Sequence, residues 1–109
     1  MKRAKIYFSA HTELTEYEAI NKGYRIDVYV IIGEYVFNPK VYSMARLQQD
    51  FEAECEEYGY YSIEPNLVLV RGTSTEEIVY IINKLHSQNY FEGIKPIKEA
   101  CISGYSRIQ

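Results

Sequence analysis

The chain has no tryptophan, and between Arg46 and Arg71 it has no lysine or arginine. That base-free stretch holds Asp50, Glu52, Glu54, Glu56, Glu57 and Glu64, with Tyr58, Tyr60 and Tyr61 among them. Basic residues elsewhere are scattered, with Lys2, Arg3 and Lys5 near the start and Lys95 and Lys98 near the end. A formal net charge of −3 and the lack of a basic patch argue against nucleic acid as a ligand, since phosphate binding rests on clustered Lys and Arg. No apolar run approaches the ~20 residues of a membrane span, and the N-terminus lacks a signal-peptide core. The chain therefore reads as cytoplasmic, with no membrane partner.

Catalytic equipment is missing too. There is no phosphate loop, no nucleophile elbow and no His/Cys set with metal spacing. His11 and His86 are isolated, and His86, in the last turn of a helix, suits the negative end of the helix dipole. Glu52 and Glu56 lack the further oxygen ligands that a cation loop supplies. Cys55 and Cys101 show no CxxC pattern. Cys55 falls on the apolar stripe of a helix, where a small buried thiol is the simple reading, and a Cys55–Cys101 disulfide is the alternative. The sequence thus points to no catalytic residue, no metal and no cofactor.

What is present suits one domain spanning 1–109. The 47% hydrophobic content is enough for a core, and twelve tyrosines against four phenylalanines skew the aromatic set towards amphipathic rings. Lys5–Ser9 reads as a strand, and Leu14, Tyr17 and Ile20 form a short helical turn. Tyr24–Ile32 reads as one strand, with Ile26, Val28, Val30 and Ile32 on one face and Asp27 and Tyr29 on the other. After a turn at Gly33-Glu34, Tyr35–Tyr42 returns as a strand that Pro39 makes an edge or breaks. Ser43 caps a helix from Met44 to Tyr58, with Gly59 in the closing position and a stripe of Met44, Leu47, Phe51, Cys55 and Tyr58.

Leu67–Val70 is apolar on both faces, as a covered central strand is. Capping-box spacing occurs twice, Thr73 with Glu76 and Ser74 with Glu77. It opens a helix to about His86 that buries Ile78, Ile81, Ile82 and Leu85. Ile94–Ile102 is the last predicted strand, with Ile97 and Ala100 inward, and Ser103–Gln109 a loose tail. The predicted fold is a single-domain α+β two-layer sandwich, with a mixed, mostly antiparallel sheet of about five strands and two main helices. Phe51, Val68, Val70, Ile78 and Ile82 are its expected core.

The acids flank the stripe of the Met44–Tyr58 helix on both sides. Asp50/Glu54 and Glu52/Glu56 are like-charge pairs four residues apart, each costing a few tenths of a kcal/mol on an isolated helix. A surface that tolerates this repulsion and adds tyrosine rings fits a basic partner. The candidate partner-binding residues are Asp50, Glu52, Glu54, Glu56, Glu57, Tyr58, Tyr60, Tyr61 and Glu64. A solvated helix face is the plain alternative.

From Ile26 onward the chain carries an apolar strand ending in Ile32-Gly33 and an aromatic strand, Tyr35-Val36-Phe37. A helix start with Ser43 and Leu47 follows, then an acidic helix, the Leu67–Val70 strand and a Glu76-Glu77-Ile78 helix. In these features it resembles the small bacterial immunity proteins found beside polymorphic and contact-dependent growth-inhibition toxins, the immunity protein 8 type. The resemblance implies a chain that binds one cognate toxin domain, often a basic nuclease, in a 1:1 complex and silences it without turnover. Two other readings stay open: a phage-encoded nucleic-acid mimic directed at a defence nuclease, and a homodimeric regulatory or binding subunit.

Overall fold

Ile6 and Phe8 alternate with Lys5 and Tyr7, and the alternation becomes a strand with one fully buried face. A computed structural model describes residues 3–97 and 102–109 and has an α+β architecture. One sheet is antiparallel, in the order β4 (Tyr35–Phe37), β3 (Val28–Ile32), β1 (Lys5–Phe8), β7 (Ser106–Arg107). The second has the order β2 (Tyr24–Arg25), β5 (Lys40–Ser43), β6 (Leu67–Val70), with β2–β5 antiparallel and β5–β6 parallel. The helices are α1 (Glu13–Lys22), α2 (Met44–Tyr58) and α3 (Thr75–Ser87), and a 3-10 turn spans Tyr90–Gly93. The strands are thus shared between two sheets, and α1 joins the two expected main helices.

The register places Ile6 beside Val30, Phe8 beside Val28, and Val30 beside Phe37, so one face of the first sheet is apolar where β4, β3 and β1 meet. Ile78 and Ile82, four residues apart on α3, pack onto that face, and Val41 and Phe91 complete the cluster. Ser74 caps α3, its Oγ accepting from the Glu77 N–H, so the second of the two capping-box spacings is the one used. Thr73 is instead buried, and its hydroxyl donates to the Ala19 carbonyl of α1.

Several expectations are corrected. The segment Tyr24–Ile32 is not one strand but two, in different sheets, with Ile26 exposed at the break. Buried Arg25 sends its Nε–H to Asp27 Oδ1 at 2.9 Å, while Asp27 Oδ2 accepts from the Ser9 N–H and hydroxyl. These bonds hold the chain as it passes between sheets. The break expected at Pro39 is present, dividing Tyr35–Tyr42 into β4 and β5, which lie in different sheets. The strand Leu67–Val70 is not central: it lies at an edge, with Val68 and Val70 half-buried and Leu69 exposed.

Phe51 is outside the core, and α2 buries none of its residues. Leu14, Tyr17 and Ile20 project outward from α1, whose buried residue is Ala19. The tail is held rather than loose. Residues 106–107 pair with β1, and the Gln109 side chain bonds Asn83 twice and the Ala4 carbonyl once. Ile97 forms an isolated bridge to Val36, and 94–96 are not strand. The remainder of the predicted last strand, with Ala100 and Cys101, falls largely outside the described residues. Cys55 is a half-buried free thiol.

Candidate functional site

The β5–α2–β6 unit carries the acidic run. Ser43 ends β5 and caps α2, its Oγ accepting from the Arg46 N–H at 3.3 Å. Gly59, at φ 84°, closes the helix with its N–H on the Cys55 carbonyl, the left-handed conformation that glycine adopts without strain. Near its start α2 is anchored to the second sheet. The Arg46 guanidinium lies 4.6 Å over the Tyr24 ring, Tyr24 stacks on Tyr42 at 5.5 Å, and Arg46 Nε pairs with Asp50 Oδ1 at 3.1 Å.

Further along, the helix and the sheet leave a cleft of about 500 Å³ between them. Asp50, Glu54 and Tyr58 line it from α2, Lys40 and Tyr42 from β5, and Leu67 from β6. Tyr60, Tyr61, Ser62 and Glu64 complete the lining from the segment after the helix. The structure therefore gathers Asp50, Glu54, Tyr58, Tyr60, Tyr61 and Glu64 from the predicted set. Glu52, Glu56 and Glu57 are exposed on α2 and take no part in the lining.

Sequence reasoning missed Lys40, Tyr42 and Leu67. The signal for them was their placement, since Lys40 and Tyr42 lie two apart on β5 and share a face, and Leu67 registers beside Lys40. Lys40 Nζ donates to Asn38 Oδ1 at 2.7 Å.

The electrostatics follow from the geometry. Burial pushes the Tyr61 hydroxyl above the ordinary phenol value, and Asp50, Glu54 and Glu64 push it further the same way. Tyr42 is raised for the same reasons, burial first, with Asp50, Tyr61 and Glu64 adding to it and Arg46 opposing. Both phenols stay protonated at neutral pH. The cleft thus offers Glu54 and Glu64, with Asp50 already paired to Arg46 and the Lys40 ammonium also in the lining, beside neutral hydroxyls on aromatic walls, a setting that accepts a guanidinium or ammonium group through charge, hydrogen bonds and ring faces.

A second polar assembly, also missed, joins the two sheets. Arg25 is 4% exposed, its guanidinium 3.9 Å from the Phe8 ring. Nη2 donates to the Ala10 carbonyl at 2.9 Å, and Nη1 lies 3.8 Å from Glu16 Oε2. Glu16 accepts from both the Thr75 N–H and its hydroxyl, which ties α1 to the start of α3. Burial alone would raise the Glu16 carboxyl, but the Thr75 bonds, Arg25 and His11 outweigh it and hold it below the ordinary range. The sequence signal was Arg25 two residues before Asp27, on opposite sides of a strand break.

A larger concavity, about 810 Å³, lies between the β3–β4 turn and the 3-10 turn, with Tyr35, Phe37, Phe91 and His86 in its lining. Among the described residues no group of three or more His, Cys, Asp or Glu is placed to hold a metal ion, and no helix is long and apolar enough to cross a membrane. No protein-family model matches the chain, and neither a curated protein nor a solved structure matches it.

Proposed function

We propose that this chain is an inhibitory binding protein of the immunity type, acting in the cytoplasm on one basic protein partner, a toxin domain with a nuclease-like cleft. The observation that carries this reading is the concavity that Asp50, Glu54 and Glu64 line together with Tyr42, Tyr58, Tyr60 and Tyr61. A protruding arginine or lysine of the partner enters between α2 and the sheet, stacks on tyrosine and pairs with carboxylate. Close charge pairs at such interfaces couple by about 1.5–7 kcal/mol. Glu52, Glu56 and Glu57, on the outer side of α2, add long-range attraction that speeds encounter without touching the anchor. Inhibition is stoichiometric, one chain per toxin domain, with no turnover. Carboxylates gathered in one concavity suit a protein side chain better than they suit mimicry of an extended phosphate backbone.

The test starts with capture of the partner from the native host and mass spectrometry, followed by calorimetric titration of the purified pair. Glu54→Lys is expected to weaken binding more than about tenfold, whereas Glu57→Lys changes mainly the association rate and its salt dependence. Equal affinity for wild type and Glu54→Lys would remove the cleft from the interface. Recovery of metabolic enzymes alone would remove the inhibitor reading.

A further inference from the structure

The charges that line the cleft beneath α2 are not all spent within the protein. Asp50 is paired with Arg46 at 3.1 Å, whereas the carboxylates of Glu54 and Glu64 form no ion pair or hydrogen bond with any described residue. The one base in the lining, Lys40, pairs with neither acid. It is held from another side. Asn38 donates its Nδ2 to the Ile26 and Val28 carbonyls at 3.1 and 2.7 Å, which fixes the amide where the chain passes between the sheets. Its Oδ1 then accepts from Lys40 Nζ at 2.7 Å. That bond uses one N–H of the ammonium and leaves two for a ligand.

A ligand of a single charge does not satisfy this lining. A lone guanidinium or ammonium on Glu54 and Glu64 leaves half-buried Lys40 facing a like charge with part of its hydration lost. A lone carboxylate on Lys40 meets two acids in the same way. With Asp50 neutralised by Arg46, the complement of the cleft is a cation with an anion beside it.

We propose that the cleft recognises a mixed-charge loop of its protein partner, an arginine with an aspartate or glutamate two residues on. This rests on the reading of the cleft as the partner-binding site. The two-residue spacing puts both side chains on one side of an extended segment. The arginine fork pairs with Glu54 and Glu64 against the tyrosine walls, and the loop carboxylate takes the two remaining N–H groups of Lys40. A concavity of about 500 Å³ has room for both side chains. Lys40 therefore sets specificity: a purely basic patch, which Glu54 and Glu64 attract, is repelled by it.

Two-dimensional NMR titration of the purified chain at low salt tests this. The probes are acetyl-Gly-Arg-Gly-Glu-Gly-amide and its isostere with glutamine in place of glutamate. Both are expected to shift signals of residues that line the cleft, the glutamate peptide binding about threefold tighter, as an exposed charge pair allows. Lys40→Gln, which keeps a donor for Asn38, is expected to bring the two peptides to equal affinity, and Lys40→Glu to reverse their order. Equal binding of both peptides by wild type would overturn the mixed-charge proposal and leave a cation-accepting cleft in place. So would a preference that survives in Lys40→Gln. No shifts with either peptide, or binding indifferent to Glu54→Gln, would overturn the proposal together with the partner-binding reading of the cleft.

Discussion

Replacing Arg25 by methionine keeps most of the side-chain length and removes the guanidinium that joins the two sheets. Four contacts disappear together: the bond to Asp27 at 2.9 Å, the bond to the Ala10 carbonyl at 2.9 Å, the 3.8 Å ion pair with Glu16, and the 3.9 Å stack on Phe8. Hydrogen bonds to charged groups contribute about 1.5–3 kcal/mol each, and a desolvated cation–ring contact about 2 kcal/mol. Against their sum stands the recovered cost of burying the guanidinium, several kcal/mol. Asp27 keeps its two bonds from Ser9 and Glu16 keeps those from Thr75, so neither acid is stripped bare.

The net expectation is a loss of about 3–5 kcal/mol, typical of breaking one side of a buried pair and a large part of the 5–15 kcal/mol of a domain. With a urea slope of about 2 kcal/mol/M, the midpoint falls by about 1.5–2.5 M. Arg25→Lys, which keeps charge but not the fork, falls between the two. In a double-mutant cycle, Arg25→Met with Asp27→Asn costs less than the sum of the single changes. A loss below about 1 kcal/mol for Arg25→Met would refute the argument that this residue ties the sheets together.

Stability should also depend on Glu16. Its folded carboxyl titrates below the ordinary value, because the Thr75 bonds and Arg25 outweigh burial. The stabilisation is therefore present above about pH 4.3 and is lost as pH falls through the lower folded value. Urea midpoints measured across that acid range should show this loss in wild type and less of it in Glu16→Gln. Phe51→Ala should cost under about 1 kcal/mol, because the ring is half in solvent, whereas Ile78→Ala should cost about 2–5 kcal/mol. Chemical denaturation of the two variants side by side checks this, and equal losses would place Phe51 back in the core.

How far the sequence carries depends on the range over which each interaction acts. The start and end of α2 were legible, because Ser43 bonds the Arg46 N–H and Gly59 bonds the Cys55 carbonyl within one helical turn of themselves. Ser74 announced α3 the same way, and the period-two pattern of Ile6 and Phe8 announced the first strand and its buried face. The acidic run and the tyrosines around it were also plain in the sequence. The α+β class followed from this order of elements.

Tertiary structure decided what lies opposite each element. A helical stripe states which residues share a face, not whether anything covers it. The stripe of α2 faces outward because the helix spans a narrow three-stranded sheet and is pinned at one flank by Arg46 on Tyr24. The strand Leu67–Val70 has central-strand chemistry at an edge position, because nothing in four apolar residues specifies neighbours on both sides. Tyr24–Ile32 divides where Arg25 and Asp27, two apart in sequence, are bound to Ser9 and Ala10 after β1 and to Glu16 of α1. The cleft itself exists only because β5 and β6, separated by the whole of α2, pair in parallel and bring Lys40, Tyr42 and Leu67 beneath Asp50 and Glu54. Local bonding sets where an element begins and ends. Long-range pairing sets which of its side chains are left open to a partner.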